Sequence, residues 1–375
     1  MNPVVSLLSD LVAIPSMNPM GRGRTGPEYS EQSLGEFVHA FLKKNSIDSK
    51  LQTVLPGRPN VLGHINAGAQ QTLMLEAHLD TVHADSMAIE PFNPVIRESR
   101  LFGRGSCDTK GSIAAFLQAV VNSLKTPGRL RYNIVLLFVS DEEYRFTGAQ
   151  HAVKEGLKAD FGIAGEPTRL RIVRAHKGVT RWKIHTKGIA AHSAYPERGK
   201  NAIYSMSGVI NRLERYAVDL YAGKPHPLLG APSLSVGVIE GGQAVNIVPD
   251  HCSIEIDRRT LPNENQQSVL DPIRSLLRDL PDWEMKNPHL SVAGMEISES
   301  APVVQALARS IDTVCGEAVI ESAQYATDAG IYNAVGIPTL VFGPGDIAQA
   351  HTDAEYIDLD QLNQAVAIIE RFVTT

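Results

Sequence analysis

The chain has 375 residues, 43% hydrophobic and 20% charged, a globular composition with room for about two domains. Its 35 Lys and Arg against 41 Asp and Glu leave a formal charge of −6. That balance argues against nonspecific binding to nucleic acid or to an acidic membrane surface. Three scattered cysteines, Cys107, Cys252 and Cys315, form no C-x-x-C pair and fit reduced thiols in a cytoplasmic setting rather than a disulfide framework.

No apolar run approaches the roughly 18 residues needed to span a bilayer. The segment Met1–Ser16 lacks a basic start and is interrupted by Asp10. It reads as an amphipathic helix with Val4, Leu7, Leu8, Leu11 and Ile14 on one face, not as a signal peptide. Next come the short strand Thr72–Ala77, the helix Gly111–Leu124, the continuous apolar strand Tyr132–Ser140 and the strand Phe161–Ala164. Strands alternating with helices predict an α/β domain with a mainly parallel sheet. The style changes near Gly178: strand Val179–Thr186, helix Asn201–Tyr216, strands Ser233–Ile239 and Ser253–Arg259, helix Gln266–Asp279, strand His289–Val292. This β-α-β-β-α-β order predicts a small ferredoxin-like α+β domain. From Ala301 the α/β style returns, with helix Pro302–Val314, strand Pro338–Phe342 and helix Asp360–Phe372. The expected organisation is one α/β domain (1–177 and 293–375) interrupted by an inserted domain (178–292).

Acids and histidines cluster at the ends of the predicted α/β strands, where sites form in open sheets. His78 and Asp80 lie two apart after Thr72–Ala77, so they share one face of a strand. Asp108 sits in the glycine-bounded run GRGSCDTKG, where a helix N-cap alone would explain it. Asp141, Glu142 and Glu143 follow the most apolar strand. Such adjacent acids repel one another, and a divalent cation would make them favourable. Glu166 follows Gly165, and His351 follows the Gly343–Gly345 turn. Each position has a bland reading; five strand-end positions offering His, Asp or Glu together could hold two metal ions around a shared Asp.

The ordered motifs H-x-D-x-V, G-R-G-x-x-D-x-K-G, D-E-E, G-E-P, K-G-x-x-A-H-S-A-x-P and a late His run along nearly the whole chain. In this the sequence resembles the metal-dependent aminoacylase family that includes acetylornithine deacetylase, succinyl-diaminopimelate desuccinylase and glutamate carboxypeptidase. The resemblance implies a zinc-hydrolase catalytic domain with an inserted lid and dimerisation domain. It implies two Zn2+ per subunit, with Co2+ able to substitute. His78 and Glu166 would bind one ion, Glu143 and His351 the other, and Asp108 both. Glu142 would be the general base, and Asp80 would orient His78. His192 would steady the oxyanion in a partner subunit, and the chain would be a homodimer. Asn246 and Arg259 would hold the substrate's carboxylate, as an Arg fork does well. Adjacent strand residues face opposite ways, so Arg258 competes with Arg259, which the motif alignment favours. The run FGPGDIAQAHTDAEY points to hydrolysis of N-acetylornithine to ornithine and acetate, in arginine biosynthesis. Thr327, in a Thr-Asp pair where those deacetylases more often carry Thr-Glu, is a further candidate substrate contact. That departure leaves N-succinyl-diaminopimelate or a broader set of N-acyl amino acids as alternative substrates.

Other motifs fail on context. Gly21–Gly26 fits G-x-G-x-x-G, but no strand precedes it and Pro27 follows. There is no G-x-S-x-G nucleophile elbow.

Overall fold

The computed structural model of the chain describes residues 2–126 and 128–375; Met1, at the start of the expected first helix, lies outside the described residues. The chain forms two compact units. One comprises Met1–Arg174, Ile297–Glu321 and Thr327–Thr375; the other comprises Ala175–Glu296 and Ser322–Ala326.

The first unit is built on a mixed sheet. Thr72–His78 lies between Asn133–Val139 and Phe161–Ala164 and runs parallel to both; Thr339–Val341 adds a fourth parallel strand beside Phe161–Ala164. These four are the apolar runs of the sequence, and their side chains are buried on both faces, as central parallel strands require. The flanks are antiparallel. Arg58–Ile65 pairs with Asn133–Val139, and Val173 faces Val341. The sequence reading passes over the helix Gln32–Lys44 and the hairpin of Asp48–Leu55 with Arg58–Ile65. The outer hairpin strand is only partly buried, so it lacks the continuous apolar signature.

Helix Pro3–Val12 buries Val4, Leu7, Leu8 and Leu11 as expected, while Ile14, expected on the same face, lies past the helix end and is only partly buried; Asn2 caps the helix by accepting from the Val4 N–H at 3.2 Å. Helix Lys110–Leu124 is buried on nearly all sides. Gly165 lets it approach the sheet: a Cβ there would stand 2.7 Å from Ser112 Cβ and 2.8 Å from the Phe116 ring.

The second unit has the strand order Ser233–Gly241, His251–Thr260, Gly178–Lys187, with Trp283–Met285 and Leu290–Val292 both on the far side of Gly178–Lys187. All pairs are antiparallel. The last strand expected at His289–Val292 is present as Leu290–Val292, and Trp283–Met285 is a further short strand that the sequence reading passes over. Helices Ala202–Ala222 and Gln266–Leu277 pack with the sheet around Trp182, Ile184, Met206, Ile254, Ile256 and Ile273. This is the ferredoxin-like arrangement. Among the described residues no helix is long and apolar enough to cross a membrane.

Candidate metal centre

The parallel strands of the first unit deliver their acids and histidine at their carboxyl ends. His78 ends Thr72–His78, Ser140–Glu143 follow Asn133–Val139, and Glu166 follows Phe161–Ala164. Asp108 comes from the turn just before helix Lys110–Leu124, and its peptide bond to Thr109 is cis. His351 follows the short 3-10 turn Ile347–Gln349. Asp141 and His351 have φ of 68° and 63°. Left-handed non-glycine residues cost of order 1–3 kcal/mol each and concentrate at functional sites.

These side chains converge. His78 Nε2 lies 3.0 Å from Asp108 Oδ1 and 3.9 Å from Glu166 Oε1. His351 Nε2 lies 3.4 Å from the other oxygen of Asp108, Oδ2, and 3.2 Å from Glu143 Oε2. Asp108 therefore presents one oxygen to each imidazole. Donor atoms of His78, Asp108 and Glu143 all lie within 4.8 Å of one another, a grouping able to hold a metal ion. Imidazole nitrogens and carboxylate oxygens are a donor set suited to zinc and similar divalent ions.

The electrostatics follow from packing like charges out of water. Burial raises Glu142, Glu143 and Glu166, and neighbouring carboxylates raise each further against the pull of His78. Asp108 is also desolvated, but its hydrogen bonds with His351 and His78 win and hold it well below the usual carboxylate range. The same bonds favour protonated imidazoles. Bonds to Asp108 and Glu143 push His351 up to about 10. His78 rises well above its ordinary value because Asp108 and the surrounding carboxylates outweigh its burial.

Asp80 is placed differently from its expected role. His78 Nδ1 bonds the main-chain carbonyl of Asp80 at 2.8 Å, while the Asp80 carboxylate stands 3.7 Å away. That carboxylate instead accepts the N–H groups of Glu142 and Glu143, both at 3.1 Å, and the Asn18 side-chain amide at 2.7 Å. So one residue holds the His78 ring with its backbone and the acidic loop with its side chain. The reading of the sequence missed the support beneath this loop. Arg58 is buried and bridges Glu31 (2.7 Å through Nε) and Asp141 (2.9 Å). It also missed Glu76, a buried acid close to Asp328 of the Thr-Asp pair, whose carboxyl burial pushes up to about 7. No local pattern marks these residues, because their partners are distant in sequence.

The remaining candidates divide between the units. Thr327 is buried in the first unit, where its hydroxyl accepts from the Ala329 N–H at 3.2 Å. His192, Asn246 and Arg259 belong to the second. His192 is exposed on a two-residue strand paired with Ile247 and Val248, and the Asn246 carbonyl accepts from the Ser193 N–H at 3.1 Å, so these two share one loop cluster. His192 Nδ1 accepts from the Ala194 N–H at 3.0 Å. Arg258 is buried against Glu264 at 2.5 Å. Arg259 is half-buried and lies on Asp257 at 2.8 Å.

Comparison with known proteins supplies the context. Residues 74–375 match the model of peptidase family M20/M25/M40. An acetylornithine deacetylase of Myxococcus xanthus is 34% identical over 321 residues, 82% of this chain and 81% of that protein. An acetylornithine deacetylase of Edwardsiella ictaluri is 32% identical over 95% of this chain and 93% of its own length. Among solved structures, a metallo-carboxypeptidase of Sulfolobus solfataricus superposes with a TM-score of 0.83 at 20% identity, covering 100% of this chain and 99% of that one. A Bacillus subtilis dinuclear metal-binding peptidase gives 0.71 at 17% identity, covering 99% and 96%.

Proposed function

The chain belongs to peptidase family M20/M25/M40 and is a metal-dependent hydrolase of amide bonds; from that premise we propose that it deacetylates N-acetylornithine, yielding ornithine and acetate, with two Zn2+ held around Asp108. The observation that carries the two-ion reading is the division of the Asp108 carboxylate, one oxygen toward His78 and the other toward His351. His78 and Glu166 would complete one ion's ligands; Glu143 and His351 would complete the other's. Bound divalent ions of this kind acidify water to a pKa near roughly 7 and polarise a carbonyl. Glu142 is the proposed base. It is buried beside the ligands, and its backbone N–H is pinned by Asp80, so its carboxylate has a set origin. It would take a proton from the attacking water and deliver it to the departing amine.

His192 is the proposed donor to the developing oxyanion. Because its Nδ1 accepts a hydrogen bond, the neutral ring carries its proton on Nε2, the nitrogen then able to donate. Asn246, Arg259 and Thr327 are proposed substrate contacts. The deacetylase relatives favour N-acetylornithine. The Thr327-Asp328 pair keeps N-succinyl-diaminopimelate and other N-acyl amino acids as the second reading.

The deciding experiment is turnover of metal-loaded protein on a panel: N-acetylornithine, N-succinyl-diaminopimelate, other N-acyl amino acids and a dipeptide. A kcat/KM for N-acetylornithine at least tenfold above the rest is expected. A panel led by the succinyl compound or the dipeptide refutes the substrate assignment while leaving amide hydrolysis in place.

A further inference from the structure

Two loops that supply ligands to the centre are joined beneath it by a buried ion pair. Arg104 and Glu355 are both inaccessible to solvent, at 1% and 0% exposure. Glu355 Oε1 accepts from the N–H groups of Cys107 and Asp108 at 2.9 and 3.0 Å. Its Oε2 accepts from the Gly105 N–H at 2.9 Å and from Arg104 Nη1 at 2.7 Å. The turn that ends in Asp108 thus closes around one carboxylate, a concave set of backbone donors of the kind that binds anions. Arg104 reaches the other way. Its Nη2 donates to the Thr352 carbonyl at 3.1 Å, next to His351. The Glu355 carbonyl also accepts from the Gly103 N–H at 3.0 Å.

We propose that Arg104 and Glu355 are positioning residues: a clasp that sets the Asp108 carboxylate against His351 and so tunes the affinity for the cation those two ligands share with Glu143. The inference rests on the two-cation reading given above. Its physical content is stoichiometric. Four donors need two anionic oxygens, and each oxygen has two. A glutamine at position 355 would turn one oxygen into an amide that faces donors it cannot satisfy, freeing one side of the Asp108 turn. Replacing Arg104 with lysine would keep the charge opposite Glu355 but lose the fork that also holds Thr352.

The test is calorimetric and spectroscopic titration of the metal-stripped chain with Co2+. Wild type, Glu355→Gln, Arg104→Lys and a core truncation outside the two ligand-bearing loops, Leu307→Ala, would be compared. Wild type is expected to take up two ions per chain. The two clasp variants should bind one of them about 10–100-fold more weakly, the usual consequence of losing a partner that orients a ligand, with an altered visible cobalt band. Leu307→Ala should lose thermal stability with both affinities kept. Should Glu355→Gln fail to fold, Arg104→Lys carries the test. Wild-type affinities and spectrum in the clasp variants overturn the proposal, as does an equal loss of affinity in Leu307→Ala. A wild-type chain binding one ion or none overturns the two-cation reading and the clasp with it.

Discussion

Glu142 and Glu143 are adjacent in the chain yet differ in what they touch. Glu143 meets His351 at 3.2 Å, whereas the nearest named anchor of Glu142 is its own backbone N–H on Asp80. The contact with His351 supports the proposed ligand role of Glu143 and leaves Glu142 as the proposed base. Glu142→Gln should therefore keep its metal, as measured by elemental analysis, and lose about 10²–10⁴-fold in kcat; full turnover would remove Glu142 from the mechanism. His192→Ala should lower kcat by about 10²–10³-fold, the cost of one oxyanion donor, with KM little changed. An unaltered kcat would exclude that role. The same residue scale sets the pH response. His351 in the metal-free fold has a pKa raised to about 10, above its unfolded value near 6.5. Its contribution to stability is thus fully present below about pH 6.5 and is lost as pH rises toward 10. The raised Glu142, Glu143 and Glu166 act in the same direction above their own unfolded values. Metal ligation needs neutral imidazole, so binding must release protons. The metal-free Tm should fall across pH 6.5–10 while the Tm gain on adding Zn2+ grows. A gain that is flat with pH would refute the coupling.

At the scale of elements, what was legible was periodicity. The continuous apolar runs became the central parallel strands, and His78, Glu142, Glu143 and Glu166 lie at their carboxyl ends, whereas Asp108 comes from the turn before helix Lys110–Leu124 and His351 follows the turn Ile347–Gln349. The outer hairpin strand Asp48–Leu55 was not legible, because a half-exposed flank carries mixed residues. Likewise the partners of Asp141, Arg58 and Glu31, are 83 and 110 positions away, beyond any local pattern. Gly165 links packing to the site. Gly165→Ala would drive a methyl into Ser112 and Phe116, an overpacking cost of about 1–3 kcal/mol. It should lower Tm by several degrees and weaken metal binding through the neighbouring Glu166. Unchanged Tm and affinity would show that helix Lys110–Leu124 yields to the methyl.

For the whole molecule, the second unit carries an open edge. Among the described residues, strand Ser233–Gly241 pairs on one side only, with Val238 and Ile239 exposed. A groove of about 660 Å³ lies between it and helix Ala202–Ala222, lined by Leu213, Val218, Tyr221 and Leu234. Exposed edges invite pairing, and the proposed homodimer would use this one. Val238→Lys should shift the mass measured by light scattering toward the monomer; a monomeric wild type would end the proposal.

The sequence by itself determined which residue types stand at the strand ends and that the fold alternates strands with helices, because hydrophobic period and strand direction are properties of contiguous residues. Only the tertiary structure decided how those ends meet. It divided Asp108 between two imidazoles, gave the Asp80 carboxylate to the acidic loop rather than to His78, and locked Arg104 to Glu355. Such contacts join residues far apart along the chain, and no one-dimensional pattern encodes where they come to lie.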